Sequence, residues 1–181
     1  MSGHLVILSG PSGVGKDTVI DAWREVNPKV QRVVAYTTRS PRDGETDGRD
    51  YHFVTVDEFK ALAAEGAFLE HKEVHGNYYA TPLRDMEAML DEGRIAVLKI
   101  DVQGALTAMA LRPDALTAIL LPPSWDVLEQ RIRGRGTEDA ASINKRLANA
   151  RAEMEFADRY QHQIVNDDLE TVVARLEAVV A

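Results

Sequence analysis

The stretch Gly10-Pro11-Ser12-Gly13-Val14-Gly15-Lys16 lies between two segments with different apolar patterns. Before it, residues 5 to 8 form a continuous apolar run, which is typical of a short buried strand. After it, residues 17 to 26 place apolar side chains at helical spacing, namely Val19, Ile20, Trp23 and Val26. The glycines therefore join a strand to a helix at the start of the chain.

This turn has the properties of an anion site. Glycines let successive backbone N–H groups point into one concavity, and the following helix presents the positive end of its dipole there. Lys16 can reach the outer phosphates of a bound nucleotide, and the spacing matches the phosphate loop of nucleoside triphosphate-binding proteins. The predicted site comprises Gly10, Pro11, Ser12, Gly13, Val14, Gly15, Lys16, Asp17 and Thr18. Asp17 stands where the motif has Ser or Thr, which indicates an altered metal site.

Composition limits the class of protein. With 181 residues, 45% of them apolar, the chain can bury a sizeable core and suggests a single domain with an inserted piece. A formal net charge of −8 argues against a nucleic acid or an anionic membrane as the main partner. The absence of cysteine excludes disulfides, thiol nucleophiles and cysteine-ligated zinc. No secretory signal pattern or membrane-length apolar run is present, so we expect a cytoplasmic protein.

Strand and helix patterns alternate along the chain. Short apolar runs predict strands over residues 30 to 36, 95 to 100, 116 to 121 and 163 to 165. Helical spacing recurs at Ile143, Leu147, Ala150, Met154 and Ala157, and again at Leu169, Val172, Val173, Leu176, Val179 and Val180. These patterns predict a three-layer α/β fold around a parallel sheet.

Two segments interrupt this alternation. We interpret residues 37 to 81 as a small inserted subdomain that could close over a second substrate, with a helix capped by Thr55 and Glu58. An arginine-rich run begins at Arg131 between two helices, and we expect a mobile lid over about residues 131 to 146.

Seven segments resemble those of guanylate kinases in their order and separation. Besides the phosphate loop they are Thr37-Thr38-Arg39-Ser40-Pro41-Arg42-Asp43-Gly44-Glu45 with Asp50-Tyr51, Phe68-Leu69-Glu70, His75-Gly76-Asn77-Tyr78-Tyr79, Ile100-Asp101-Val102-Gln103-Gly104, Arg135-Gly136-Thr137 and Val165-Asn166-Asp167-Asp168. The resemblance covers nearly the whole chain. It implies a P-loop kinase core over residues 1 to 36 and 82 to 181, with a GMP-binding insertion over residues 37 to 81.

The resemblance also implies an acceptor site. Residues Arg39, Arg42, Tyr51 and Tyr79 would hold the monophosphate of GMP, and Glu70, Thr81 and Asp101 would face the guanine. The chemistry agrees, because arginine forks match phosphate and a carboxylate can accept from the N1 and N2 donors of guanine. Other roles stay open: Thr81 before Pro82 is also a good helix cap, and Asp101 could cap the next helix.

On the donor side, the resemblance implies that lid arginines converge on the transferred phosphoryl group. The implied catalytic residues are Lys16, Arg39, Arg131, Arg135 and Arg146, and Arg135, Asn166 and Asp167 would also lie near the adenine of ATP. Asn166 and Asp167 could equally form an ordinary helix cap.

Four positions depart from the family pattern. Ala35 stands where the family usually has a serine that contacts guanine, and Ala80 replaces a glycine. Asp17 and Lys99 stand where the family has a hydroxyl and a carboxylate, so the two charges look exchanged. Our hypothesis is that the carboxylate arm of the Mg²⁺ site has moved to Asp17, with Lys99 balancing its charge.

The sequence therefore predicts a guanylate kinase that transfers the γ-phosphoryl group of MgATP to GMP or dGMP in purine nucleotide metabolism. The predicted partners are ATP and GMP, without nucleic acid or membrane, and homo-oligomer formation stays open. Two alternatives are a sugar-phosphate kinase, since the Gly-Lys-Asp loop resembles that of ribose bisphosphate phosphokinases, and a non-catalytic guanylate-kinase-like binding module.

Overall fold

The computed structural model describes residues 2–134 and 139–181. The strands are β1 (His4–Ser9), β2 (Val30–Arg32), β3 (Tyr36–Thr37), β4 (His52–Phe53), β5 (Phe68–Val74), β6 (Asn77–Pro82), β7 (Ile95–Lys99), β8 (Leu116–Leu121) and β9 (His162–Val165). The helices are α1 (Lys16–Val26), α2 (Val56–Ala64), α3 (Leu83–Asp91), α4 (Val102–Leu111), α5 (Trp125–Arg133), α6 (Ala140–Met154) and α7 (Leu169–Val180), with a 3₁₀ turn at Ala157–Arg159.

The central sheet is parallel, with strand order β2-β7-β1-β8-β9. Successive residues of β1 point to opposite faces, so Val6 and Leu8 pack on one side and Leu5 and Ile7 on the other. Helices α1 and α7 cover the first side, and α3 and α4 cover the second. The predicted three-layer α/β fold is confirmed.

A second, four-stranded sheet has the order β4-β3-β6-β5. Strand β3 pairs parallel to β4 and antiparallel to β6, and β5 and β6 form a hairpin. Helix α2 packs on this sheet through Phe59, which is fully buried and lies beside Phe68 and Tyr78. Its start is capped as predicted, because Thr55 Oγ1 accepts a hydrogen bond from the Glu58 N–H at 3.1 Å.

Three local predictions are wrong. The predicted strand over residues 30 to 36 is two strands in different sheets, because the chain leaves the central sheet after Arg32 and enters the second at Tyr36. Thr81 does not cap α3; the cap residue is Pro82, and the Thr81 hydroxyl donates to Glu70 instead. Ala157 does not extend α6, since that helix ends at Met154.

Helices α5 and α6 form a separate hairpin beside the phosphate loop. Leu128 and Ile132 of α5 pack against Leu147 and Ala150 of α6 in a small apolar cluster. Among residues 2–134 and 139–181, no helix has the length and hydropathy that crossing a bilayer requires.

Candidate functional site

The phosphate loop wraps around the amino terminus of α1. Gly13 and Gly15 have positive φ values of 86° and 99°, a conformation that glycine adopts readily. A Cβ on Gly10 would lie 2.8 Å from the carbonyl oxygen of Leu120, so only glycine fits against β8 there. No side chain caps α1, which leaves its first N–H groups directed at the loop.

Lys16 is folded back over this loop, and its Nζ donates to the carbonyl oxygen of Gly10 at 2.5 Å. Burial lowers the pKa of Lys16 to about 8; the nearby carboxylates of Glu153 and Asp17 oppose the shift, and the Lys99 ammonium adds to it. An anionic phosphate would restore the charged form, so the loop is suited to bind one.

Three polar side chains reach the loop from elements distant in sequence. Arg146 of α6 donates to the Ser12 hydroxyl at 2.7 Å, and Arg131 of α5 reaches the carbonyl oxygen of Val14 at 3.4 Å. Asn166, after β9, donates to the same carbonyl at 2.7 Å. The structure thus brings Arg131, Arg146 and Asn166 to the phosphate loop.

The two aspartates after Asn166 accept hydrogen bonds from residues close to them in sequence. Asp167 is exposed and accepts from the Asp168 N–H at 2.7 Å. Asp168 is the cap of α7 and accepts from the Thr171 N–H at 3.0 Å. The alternative prediction that Asn166 or Asp167 caps the helix is therefore wrong, because the cap of α7 lies one or two positions later, at Asp168. Arg135 lies outside the described residues.

Asp17 lies at the first turn of α1 between two cations. Lys99 Nζ, from the end of β7, donates to its two carboxylate oxygens at 2.9 and 3.1 Å, and Arg32 Nη1 donates to Oδ1 at 3.1 Å. These cations hold the pKa of Asp17 below its usual value despite an opposing effect of burial, and Lys99 makes the larger contribution. The predicted pairing of Asp17 with Lys99 is present.

A cleft of about 400 Å³ extends from the phosphate loop to the second sheet. At its far end Glu70 of β5 is only 6% exposed, and its Oε1 accepts from the Thr81 hydroxyl at 2.9 Å. Burial raises the pKa of Glu70 above its usual value, against the opposing effects of Thr81 and Lys72. Ala35 and Ala80 also line the cleft and add no polar side-chain atoms to it.

Asp101 follows β7 and borders this end of the cleft. Its Oδ1 accepts from the Gly104 N–H at 2.9 Å, so it caps α4, as the alternative interpretation of the sequence held. It also forms an ion pair with Lys72 of β5. With both contacts in place, the Asp101 side chain still borders the cleft and is 37% exposed.

Of the four residues predicted to bind a monophosphate, only the two tyrosines line the cleft. Tyr51 and Tyr79 lie there with ring centroids 6.1 Å apart. The guanidinium of Arg39 lies 5.3 Å from the centre of the Tyr51 ring and donates to the two carboxylate oxygens of Glu45 at 2.9 and 3.0 Å. Arg42 is exposed; its backbone N–H donates to Glu45 Oε1 at 2.7 Å, and its carbonyl oxygen accepts from the Glu45 N–H at 3.0 Å.

The site thus has two halves, a phosphate loop and a buried carboxylate with paired tyrosines in the same cleft. The sequence model of the family described as guanylate kinase matches residues 2–181. The chain belongs to the guanylate kinase family. The resemblance stated from the sequence is confirmed.

Individual relatives agree with this assignment. The guanylate kinase of Aromatoleum aromaticum is 47% identical over 180 residues, which cover 99% of this chain and 88% of the relative. That of Nitratidesulfovibrio vulgaris is 48% identical over 177 residues, with 98% and 86% covered. Among solved structures, guanylate kinase from Anaplasma phagocytophilum superposes with a TM-score of 0.77 at 32% identity, covering 98% of this chain and 84% of that one.

Guanylate kinases are ATP-using kinases, and this activity implies a divalent metal. Within residues 2–134 and 139–181, no three His, Asp or Glu side chains cluster as a closed metal centre. Asp17 offers hard oxygen ligands at the phosphate loop, and its side chain is 64% exposed. A carboxylate oxygen together with substrate phosphates is a set of hard oxygen ligands of the kind that divalent cations take.

Three residues of this guanylate kinase site escaped prediction. Arg32 donates to the backbone carbonyls of Arg49 and Asp50 at 2.6 and 2.8 Å, and so connects Asp17 to the segment before Tyr51. Glu153, near the end of α6, lines the cleft with a pKa raised by burial.

The third residue is Lys72. Of the three, only Lys72 could have been predicted from the sequence pattern. Residues two apart in a strand point to the same face, and Lys72 follows Glu70 by two positions in β5.

Proposed function

We propose that this guanylate kinase transfers the γ-phosphoryl group of ATP to a phosphate oxygen of GMP or dGMP, giving ADP and GDP or dGDP. The observation that carries the proposal is one cleft lined both by the phosphate loop and by Glu70 with Thr81. A triphosphate at one end and a guanine at the other would place the two reacting phosphates between them.

The donor nucleotide would bind at the phosphate loop. Its β- and γ-phosphates would accept from the loop N–H groups and from Lys16. Arg131 and Arg146 already contact the loop from α5 and α6, so they would reach the transferred group with small movements. We assign Asn166 and Asp167 to the adenine side, with Arg135, which the structure does not describe. Residues 131 to 146 would act as the lid.

The acceptor would bind at the second sheet, within the insertion of residues 37 to 81. Tyr51 and Tyr79 would donate to the monophosphate, and Arg39 and Arg42 would approach it as the subdomain closes. Glu70 would accept from the N1 and N2 donors of guanine, with Thr81 and Asp101 alongside. A buried carboxylate left unpaired by adenine would penalise AMP.

The metal would be Mg²⁺, held by Asp17 and the phosphate oxygens. When bound, it supplies charge neutralisation on the β- and γ-phosphates. Thr18, which lines the cleft beside Asp17, offers a second oxygen. Lys99 and Arg32 keep the carboxylate ionised, which is the form that a metal binds.

No covalent intermediate is required. The nucleophile is an anionic phosphate oxygen, so the residues act by aligning two phosphates, neutralising their repulsion and excluding water. Lys16 and the arginines supply the positive charge. Closure of the lid and the insertion would protect the phosphoryl group from hydrolysis. The cytoplasmic location and the absence of nucleic-acid or membrane partners stay predictions. Whether the protein forms homo-oligomers stays open.

A substrate panel tests the proposal. Wild-type protein is assayed for ADP release with MgATP and each of GMP, dGMP, AMP, UMP and ribose 1,5-bisphosphate. We expect turnover with GMP and dGMP, and Lys16→Ala should abolish it while far-UV circular dichroism and thermal unfolding stay unchanged. Turnover of the sugar phosphate alone would favour the sugar-phosphate kinase. No turnover with any acceptor would favour the binding module.

A further inference from the structure

The acceptor end of the cleft contains a buried cation that none of the roles above uses. Lys72 shares a face of β5 with Glu70, and its side chain is only 17% exposed. A Cβ placed on Gly104 would lie 2.7 Å from Lys72 Nζ, 3.3 Å from Glu70 Oε2 and 3.4 Å from Asp101 Oδ1. One ammonium and two carboxylates therefore meet above the first turn of α4.

Burying these three charged groups together costs free energy of folding. Burial lowers the pKa of Lys72 to about 8, against the opposing effects of Glu70 and Glu153. Burying a lysine ammonium costs free energy because the group loses its hydration, and an apolar residue of similar length would avoid that cost. A specific ligand contact would explain why the charge stays in this position.

The base proposed to bind here offers such a contact. Guanine presents N1 and N2 donors on one edge, and its O6 and N7 are acceptors that pair well with Lys or Arg. Glu70 and Asp101 can only accept when ionised. Thr81 already donates to Glu70, and Ala35 and Ala80 have no polar side-chain atoms. A donor for O6 is therefore needed, and Lys72 lies beside both carboxylates.

We propose that Lys72 determines purine selectivity by donating a hydrogen bond to the 6-oxo group of the bound guanine. An ammonium has three N–H donors, so Lys72 can keep its ion pair with Asp101 and still donate to the base. The 6-amino group of adenine would point its own donors at this cation. The inference rests on the proposed function, since it needs GMP as the acceptor.

The test compares three acceptors in wild type and Lys72→Met, a substitution that keeps chain length without charge. GMP and IMP both carry O6 and N1–H, and 6-thio-GMP replaces O6 with the weaker acceptor sulfur. We expect kcat/KM to fall by roughly 10- to 100-fold for GMP and IMP, the range of one charge-assisted hydrogen bond. For 6-thio-GMP it should change less than about threefold, within the noise of such contacts.

Other outcomes would overturn the role. If all three acceptors lost activity equally, Lys72 would act only by holding the carboxylates in place. If 6-thio-GMP gained activity and GMP lost none, the side chain would be a steric gate. Absence of GMP turnover in wild type would remove the proposed function and this inference with it.

Two controls separate these results from damage to the fold. Lys60→Met removes an exposed lysine from α2 and should leave all three acceptors unchanged. Should Lys72→Met fail to fold, Lys72→Gln carries the same test at equilibrium. Its ratio of GMP to 6-thio-GMP affinity must then fall at least about threefold, because a neutral amide is the weaker donor. An unchanged ratio would overturn the proposal.

Discussion

Asp17→Ser and Lys99→Asp, made singly and together, change the charges at the phosphate loop. The structure allows the size of the effect on activity to be calculated. The two side chains form an ion pair with distances of 2.9 and 3.1 Å, and Arg32 lies on the other side of Asp17. Lys99→Asp would place a second carboxylate against Asp17 where a cation now lies. Asp17→Ser would leave the Lys99 ammonium without that partner.

The magnitude follows from Coulomb's law with a correction for solvent. A carboxylate about 4 Å from a phosphate oxygen is repelled by about 4 kcal/mol at an effective dielectric of 20. Asp17 is 64% exposed, so water screens much of this energy. We therefore expect about 1 to 2 kcal/mol for each single substitution, which is a loss of roughly 5- to 30-fold in kcat/KM for ATP.

The assay measures kcat/KM for ATP, with saturating GMP, as a function of free Mg²⁺ in wild type, both single variants and the double variant. Each single variant should need more Mg²⁺ and turn over more slowly. The double variant has a hydroxyl at position 17 and a carboxylate at position 99, which is the arrangement that the family pattern has at these positions. It should recover most of the wild-type activity, which corresponds to a coupling energy of about 2 to 4 kcal/mol, the sum of the two single losses.

Additive losses would refute this reasoning. If the double variant lost the product of the two single factors, Asp17 and Lys99 would act independently and the exchanged metal arm would be wrong. If Asp17→Ser alone left the Mg²⁺ dependence unchanged, Asp17 would not hold the metal. Lys60→Asp, on the exposed face of α2, controls for a general effect of reversing one charge.

Two further predictions concern other charged groups of the cleft. Lys16 has a pKa of about 8 in the free protein, so kcat/KM for ATP should decline as pH rises through that value and the ammonium loses its proton; a pH–rate profile that stays flat there would contradict the assignment. Glu45→Gln removes the charge that orients Arg39, whose guanidinium keeps the pKa of Glu45 below its usual range. We expect KM for GMP to rise several-fold with KM for ATP unchanged, since the neutral amide still accepts from Arg39 and loses only part of the roughly 1.5 to 3 kcal/mol that a charged hydrogen bond contributes; equal effects on both substrates would contradict it.

The fold was largely predictable because its signals are local. The apolar run of β1, the glycine turn and the amphipathic α1 follow one another directly, and they fix the first strand–helix unit. The failure at residues 30 to 36 has a physical cause. Apolar residues resume directly after Arg32, at Val33, Val34 and Ala35, so no turn signal marks where the chain passes from one sheet to the other.

The candidate site was predictable only where its parts lie within a motif. The phosphate loop and Glu70 belong to such segments. Arg146 was named as a site residue through the family resemblance alone: its contact with Ser12, 134 residues earlier, depends on how α6 packs beside α5, and no local pattern encodes that packing. Thr81 shows a different limit: the residue type suits both a helix cap and a partner for Glu70, and burial beside the carboxylate decides between them.

Three cations in or near the cleft already have carboxylate partners before any substrate arrives. Lys99 pairs with Asp17, Lys72 with Asp101 and Arg39 with Glu45. This explains how a chain with a net charge of −8 can gather positive groups in one cleft without strong self-repulsion. Lys72 can keep its pair with Asp101 while it contacts the base, and Glu45 orients Arg39, so these carboxylates position the cations as well as neutralise them. Charge complementarity in this site is therefore set less by the number of arginines and lysines than by how the carboxylates position them.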